Sequence, residues 1–223
     1  MDWTKEEIDA AVVAYIEMKE KISRGEKIVK KNVYRNLAEK YNRSEKSFEY
    51  RMQNISFVYS LLGRDWIAGL NPAKNVGTNV IAIIEKCISE NEKTTSTGVA
   101  EFENLVSKLR KSTDSNAPSG SLYPHKSEVK TIAYNRDPYV AAWLLKNSEG
   151  KCESCENTSP FKKSDGLFYL EIHHLKRLAD GGSDTINNAI AVCPNCHREF
   201  HYGEDRGLKL RDAYKKIRRL SIE

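Results

Sequence analysis

Three runs decide how the C-terminal half of this chain folds: Lys151-Cys152-Glu153-Ser154-Cys155, Leu170-Glu171-Ile172-His173-His174, and Cys193-Pro194-Asn195-Cys196-His197-Arg198-Glu199-Phe200-His201. Between the last two lie a glycine turn, Gly181-Gly182, and the pair Asn187-Asn188. The stretch gathers four of the five cysteines and four of the five histidines, so these residues are a group and not scattered side chains. Each cysteine pair has the C-x2-C spacing, which lets both thiolates of a pair close on one ion. The second pair also opens a helix, with Pro194 in its first turn, where no N–H is needed. Cys152, Cys155, Cys193 and Cys196 therefore predict a closed tetrahedral site for a structural Zn2+. The segment from Asp137 onward is short, and much of its centre is polar. A core of that size nets only about 3–5 kcal/mol, whereas a structural zinc supplies about 10–16 kcal/mol. This half is predicted to unfold when zinc is stripped.

The histidines predict a second site. His173 and His174 close a run beginning at Phe168 that reads as a strand. His197 and His201 stand four apart on the helix that starts at Pro194, so they share a face and can hold one ion. Cys196 points about a quarter-turn from His197. Thiolates and imidazoles are thus expected to serve two different metals.

Leu170-Glu171-Ile172-His173-His174, Gly181-Gly182-Ser183-Asp184, Asn188-Ala189-Ile190-Ala191-Val192-Cys193 and Cys196-His197-x-x-x-His201 resemble the HNH endonuclease family, whose fold is the ββα-metal hairpin. Asn135-Arg136-Asp137-Pro138-Tyr139-Val140, leading into Cys152, resembles the McrA branch, which comprises modification-dependent restriction endonucleases. The resemblance covers residues 130–205 or so. It implies that His173, His197 and His201 hold a catalytic divalent metal, that His174 is the general base, and that Asn188 reaches across the loop to orient His174. It implies double-stranded, methylated DNA as substrate and phosphodiester hydrolysis as the reaction. Some relatives place a carboxylate at the position of His173. An all-imidazole set suits Mn2+, Co2+, Ni2+ or Zn2+ as well as Mg2+. Two other readings stand beside this one: a phage or mobile-element HNH nuclease, and a non-catalytic zinc-knuckle DNA-binding module. The complete histidine set favours an enzyme, since a binder has no use for a base beside three ligands. Cutting both strands takes two sites, so a homodimer is expected.

Residues 4–90 read as helical. Thr4-x-x-Glu7 is a capping box, followed by Ile8, Val12, Tyr15 and Ile16 at helical spacing. A second helix carries Val33, Leu37 and Ala38. A third runs from Ser44 to Leu62 with Phe48, Met52, Ile55 and Val58 on one stripe, and Gly63 ends it. A fourth spans Thr78 to Ser89, with Cys87 read as a core residue. The first three helices loosely resemble a Myb/SANT helix-turn-helix. Lys30, Lys31, Arg35, Lys40, Arg43, Lys46 and Arg51 offer positive charge for DNA there. A short amphipathic helix with Phe102, Leu105, Val106 and Leu109 sits in a connector whose Ser112–Pro124 part reads as flexible. Arg206, Lys209, Arg211, Lys215, Lys216, Arg218 and Arg219 make the tail basic, and a phosphate-contacting helix is expected there.

The predicted fold class is α+β: an all-helical DNA-binding or target-recognition domain over 1–92, a linker with a short helix over 93–126, and a zinc-stapled nuclease domain over 127–223. With 30% charged residues, a net charge of +5 and no run of eighteen apolar residues, no membrane partner is expected. Met1-Asp2-Trp3-Thr4-Lys5 lacks the layout of a signal peptide, and two C-x2-C pairs suit a reducing compartment, so a cytoplasmic location is expected.

Overall fold

The computed structural model describes residues 3–94, 96–112, 117–126 and 128–223. Met1 and Asp2 of the expected leaderless start, and residues 113–116 of the expected flexible stretch, lie outside them. The chain is α+β and divides into two compact units, Met1–Ile132 and Ala133–Glu223. Among the described residues no helix is long and apolar enough to cross a membrane.

The first unit is helical: α1 Lys5–Ser23, α2 Lys30–Tyr41, α3 Glu45–Leu61, α4 Thr78–Asn91 and α5 Val99–Leu109. The capping box forms. Thr4 Oγ1 accepts from Glu7 N at 3.2 Å, and Glu7 Oε2 accepts from Thr4 N at 2.7 Å. The same carboxylate takes two bonds from Arg43, at 2.6 and 3.0 Å, which ties the start of α1 to the turn after α2. Asn42 closes α2 with a φ of 51°, a conformation that asparagine tolerates better than most residues. Phe48, Met52, Ile55 and Val58 are fully buried, as the stripe predicts. Burial goes further than a stripe, however. Residues 54–59 are buried without interruption, because α1, α2, α4 and α5 all pack on α3.

That burial removes charge from the surface on which DNA contact was expected. Of the described α3 residues only Lys46 and Tyr50 are exposed. Arg51 is buried over the Trp3 ring at 4.3 Å and Arg43 is paired with Glu7, whereas Arg35, bonded to Glu45 at 3.1 Å, stays exposed. The short helix of the expected linker, α5, also differs from expectation, because it packs on α3 and α4. Its first N–H groups bond the buried Glu85 carboxylate, from Val99 N at 3.1 Å and Ala100 N at 2.9 Å.

The second unit contains α6 Pro138–Asn147, β1 Glu171–His174, β2 Ala189–Val192, α7 Pro194–Tyr202 and α8 Arg206–Lys216. β1 and β2 form an antiparallel hairpin in the register Glu171↔Val192, Ile172↔Ala191, His173↔Ile190 and His174↔Ala189. The strand thus carries the histidines themselves. Phe168, expected at its start, instead forms an isolated bridge with Lys162. β2 is completely buried between α6 and the rest of the hairpin, which explains its unbroken Ala-Ile-Ala-Val sequence. Glu153, inside the first cysteine knuckle, accepts from Ala191 N at 2.7 Å and from Arg219 at 2.5 and 2.7 Å. Arg219 also donates to the carbonyls of Ile186 and Ala189.

The tail cations are therefore divided. Arg219, Lys209 (to Glu199), Lys216 (to Glu156) and Arg206 (to the His201 carbonyl) hold the unit together. Arg211, Lys215 and Arg218 remain exposed.

Candidate metal centres

The four thiolates converge. The sulfurs of Cys152, Cys155, Cys193 and Cys196 lie within 4.8 Å of one another. Tetrahedral zinc with bonds of about 2.3 Å sets sulfurs about 3.8 Å apart, so the set fits one ion. Ionisation argues the same way. Burial opposes a thiolate at Cys152, but the backbone N–H groups of Cys155, Cys193 and Ser154 outweigh it and draw its pKa down. Cys193 is raised by burial. Cys196 is pushed up to about 12, by burial first and then by the charge of Cys152. Bare thiols in this nest cannot all ionise, whereas a dication makes four thiolates compatible. Lys209 Nζ, 3.5 Å from Cys196 Sγ, adds a fixed positive charge.

A second cluster stands apart from the first. His173, His197 and His201 offer ring nitrogens within 4.8 Å of one another, and their ring centroids form a triangle with sides of 5.1 Å. Three nitrogens about 2.1 Å from one tetrahedral ion are about 3.4 Å apart, which the cluster can reach. β1 delivers His173 and α7 delivers the other two, four residues apart on one face. His173 is buried and stacked on Phe200 with centroids 4.6 Å apart. Burial, then the neighbouring imidazoles, holds its pKa down to about 2, so it stays neutral as a ligand must. His197 Nδ1 lies 2.5 Å from Glu171 Oε2, which leaves Nε2 to face an ion. A carboxylate behind a ligating imidazole fixes its tautomer and strengthens it as a donor.

His174 goes elsewhere. Neighbouring strand residues point to opposite faces, so while His173 enters the cluster, His174 turns toward the loop between the strands. There its Nε2 meets Asp184 Oδ1 at 2.7 Å. An ionised carboxylate can only accept, so the Nε2-protonated tautomer of His174 is the one that satisfies this contact. The other Asp184 oxygen accepts from Asp137 N at 2.5 Å, at the start of α6. Burial opposes the ionised form of Asp184, but the Asp137 N–H and His174 outweigh it and keep its pKa low.

Asn188 reaches across the same loop, but its partners are backbone groups. It accepts from Lys176 N at 2.9 Å and donates to the carbonyls of Lys176 and Ser183 at 2.8 and 2.7 Å. The direct hold on His174 comes from Asp184, and Asn188 keeps the loop that carries Asp184 closed. Gly182 fits under that clamp because a Cβ there would stand 2.1 Å from the Lys176 carbonyl oxygen.

A cleft of about 410 Å3 opens onto the imidazoles, lined by Arg136, Glu171, Ile172, His197, Arg198 and His201. Two guanidinium groups beside a cation site suit a polyanion. Glu171, Asp184, Arg136 and Arg198 are residues that the sequence reading left without roles. Glu171 could have been found from strand alternation, since it shares a face with His173. Asp184 stands in the quoted Gly181-Gly182-Ser183-Asp184 motif, but nothing in its spacing names His174 as its partner. In the first unit, Asp9, Cys87 and Glu90 form a third grouping within 4.8 Å. Burial, then the Asp9 carboxylate, pushes the Cys87 thiol up to about 12, so it is a protonated core residue.

Residues 152–203 match the HNH endonuclease family. The chain is 37% identical over 185 residues to the type IV methyl-directed restriction enzyme EcoKMcrA of Escherichia coli, an alignment covering 79% of this chain. The chain spans 66% of that relative's length. It is 47% identical over 32 residues to anaredoxin of a Nostoc species, covering 14% of this chain and 42% of anaredoxin. Among solved structures it is similar to the type IV phosphorothioation-dependent restriction endonuclease ScoMcrA, at 35% identity and a TM-score of 0.35, covering 38% of this chain and 19% of that one.

Proposed function

We propose, from the match of residues 152–203 to the HNH endonuclease family, that this chain is a metal-dependent restriction endonuclease that hydrolyses phosphodiester bonds in modified, methylated double-stranded DNA. The observation that carries the reading is the pairing of a three-imidazole cluster with an adjacent histidine held by a carboxylate. A zinc knuckle used only for binding needs neither.

The roles divide by chemistry. Cys152, Cys155, Cys193 and Cys196 hold a structural zinc that staples the first knuckle to α7. His173, His197 and His201 hold the second divalent ion, with Glu171 orienting His197. Bound there, a divalent ion supplies Lewis-acid stabilisation of the charge that develops on the phosphoryl and leaving oxygens. His174 Nδ1 takes the proton from the attacking water, and Asp184 stabilises the imidazolium so formed. In-line displacement needs its nucleophile and leaving group on opposite sides of phosphorus. Arg136 and Arg198 draw the strand into the cleft through phosphate oxygens, contacts that carry no base information. Asn188 keeps the loop closed so that His174 and Asp184 stay paired.

Reading of the modified base falls to the first unit, residues 1–132 or part of it. Its solvent-facing Lys31, Lys40 and Lys46 supply modest phosphate attraction. Two copies of the chain serve the two strands, and a DNA substrate with thiolate-held zinc suits a reducing cytoplasm. The test is digestion of matched plasmids, with and without cytosine methylation, in Mg2+, Mn2+, Co2+, Ni2+ or Zn2+. Metal-dependent cleavage confined to the methylated plasmid is expected. Cleavage indifferent to methylation would leave a nuclease of other biology, and no cleavage with any ion would leave a binding module.

A further inference from the structure

Helix α5 carries an apolar stripe that the described part of the first unit leaves largely uncovered. Phe102 is 63% exposed, Leu105 47% and Leu109 61%, with Val99 at 38% at the start of the helix. The first three stand at i, i+3 and i+7 and so lie along one face. The opposite face is fixed. Ala100 and Asn104 are buried against the rest of the unit, and the Glu85 carboxylate, 2% exposed, holds the first turn. A large apolar patch on an anchored helix marks a contact surface.

The charges beside the stripe say what fits it. Glu101 and Lys108 stand seven apart and share one flank, and Glu103 and Arg110, also seven apart, share the other. Each flank is thus acidic toward the N-terminus and basic toward the C-terminus. All four side chains are exposed; Lys108 also bonds the Thr78 hydroxyl at 2.9 Å. In an antiparallel helix pair each flank meets its own counterpart, reversed. Laid against a copy of itself about an axis between Leu105 and Val106, α5 sets Phe102 against the partner's Leu109 and Leu105 against the partner's Val106. On the flanks Glu101 comes within two positions of the partner's Lys108, and Glu103 within two positions of the partner's Arg110, inside the reach of these long side chains. Twofold symmetry makes every one of these contacts twice. A parallel pair would set acid against acid at the same height.

We propose that α5 is a homodimerisation surface, closed by a second copy of this chain in a twofold antiparallel helix pair. Eleven residues span about 16 Å, which buries less than the roughly 800 Å2 per partner of a standard interface. The dimer is accordingly a weak one in free solution, with dissociation in the micromolar range, and it tightens when both copies lie on one duplex. That the two copies supply two cutting sites rests on the nuclease reading; the pairing itself does not.

The test is charge reversal on the full-length chain, read by sedimentation velocity up to about 100 μM. Wild type is expected to shift from its 25.4 kDa monomer toward twice that mass as concentration rises. E101K/E103K and K108E/R110E should each associate at least tenfold more weakly, with unchanged helicity by circular dichroism. An equimolar mixture of the two variants should regain a dimer, and so should the fourfold combination. Wild type that stays monomeric, or a dimer that both reversals leave intact, would overturn the proposal. Nicking of supercoiled plasmid by the same variants reports the nuclease reading separately, since a single site suffices to nick.

Discussion

Replacing Asp184 by asparagine tests whether the carboxylate behind His174 takes part in the chemistry. The two side chains are 5% and 20% exposed at a separation of 2.7 Å, so solvent screens their interaction weakly. A hydrogen bond to a charged group contributes about 1.5–3 kcal/mol. The Asp184→Asn change keeps an oxygen for the Asp137 N–H but removes the charge that faces the imidazolium. That imidazolium exists only once His174 has taken the proton from water, so the loss falls on the transition state and not on substrate binding. At about 1.4 kcal/mol per tenfold, the expected fall in kcat is roughly 10- to 150-fold, with KM little changed. The assay is steady-state nicking of supercoiled methylated plasmid at a saturating, fixed divalent ion. Titration of the histidine site should be unaltered, because Asp184 touches none of His173, His197 or His201. A kcat within twofold of wild type would show that His174 does its work without this partner, and would refute the assignment of the base by its carboxylate.

Stripping zinc with a chelator should abolish the cooperative melting of the second unit while the helical unit keeps its own transition; a second unit that still melts cooperatively when stripped would remove the need for the staple. His201→Ala should lose one equivalent of divalent binding and keep the thiolate-bound zinc, measured by elemental analysis. Gly182→Ala should impair both folding and cleavage, since its Cβ would collide with the Lys176 carbonyl and push on Asn188; wild-type melting of that variant would contradict the clamp. Glu7 is held down to about 2 from the usual carboxylate range, chiefly by its bonds to Arg43. A depressed carboxylate stabilises the fold above its unfolded pKa of 4.5, and that contribution drains away as pH falls toward 2. Discounted for partial exposure, at most about 3 kcal/mol is at stake. Arg43→Met should flatten the dependence of the unit's melting temperature on pH between those values.

The second unit was the more legible part of the chain, and the reason is chemical. Metal-binding spacings are short-range: two residues between cysteines and four between histidines are set by local turn geometry, whatever the rest of the fold does. The helical stripes of α1 and α3 were legible for a similar reason, since apolar periodicity reports the face that is buried. Sequence could not tell which charges would be consumed internally. Arg43, Arg51 and Arg219 read as free cations until Glu7, Trp3 and Glu153 are seen beside them. Those partners lie far away along the chain, and no local pattern pairs them. The placement of α5 depended likewise on Glu85, an acid buried on the packed face of α4. Asp184 was concealed because a turn of fixed glycines brings it back onto His174, a contact that belongs to the loop's path and not to its composition.

The grip of Arg219 also sets an order of events. This side chain joins the first knuckle, through Glu153, to the carbonyls of Ile186 and Ala189 on the approach to β2. The first knuckle and the hairpin are therefore locked together only once the segment beyond α8 has folded back onto both.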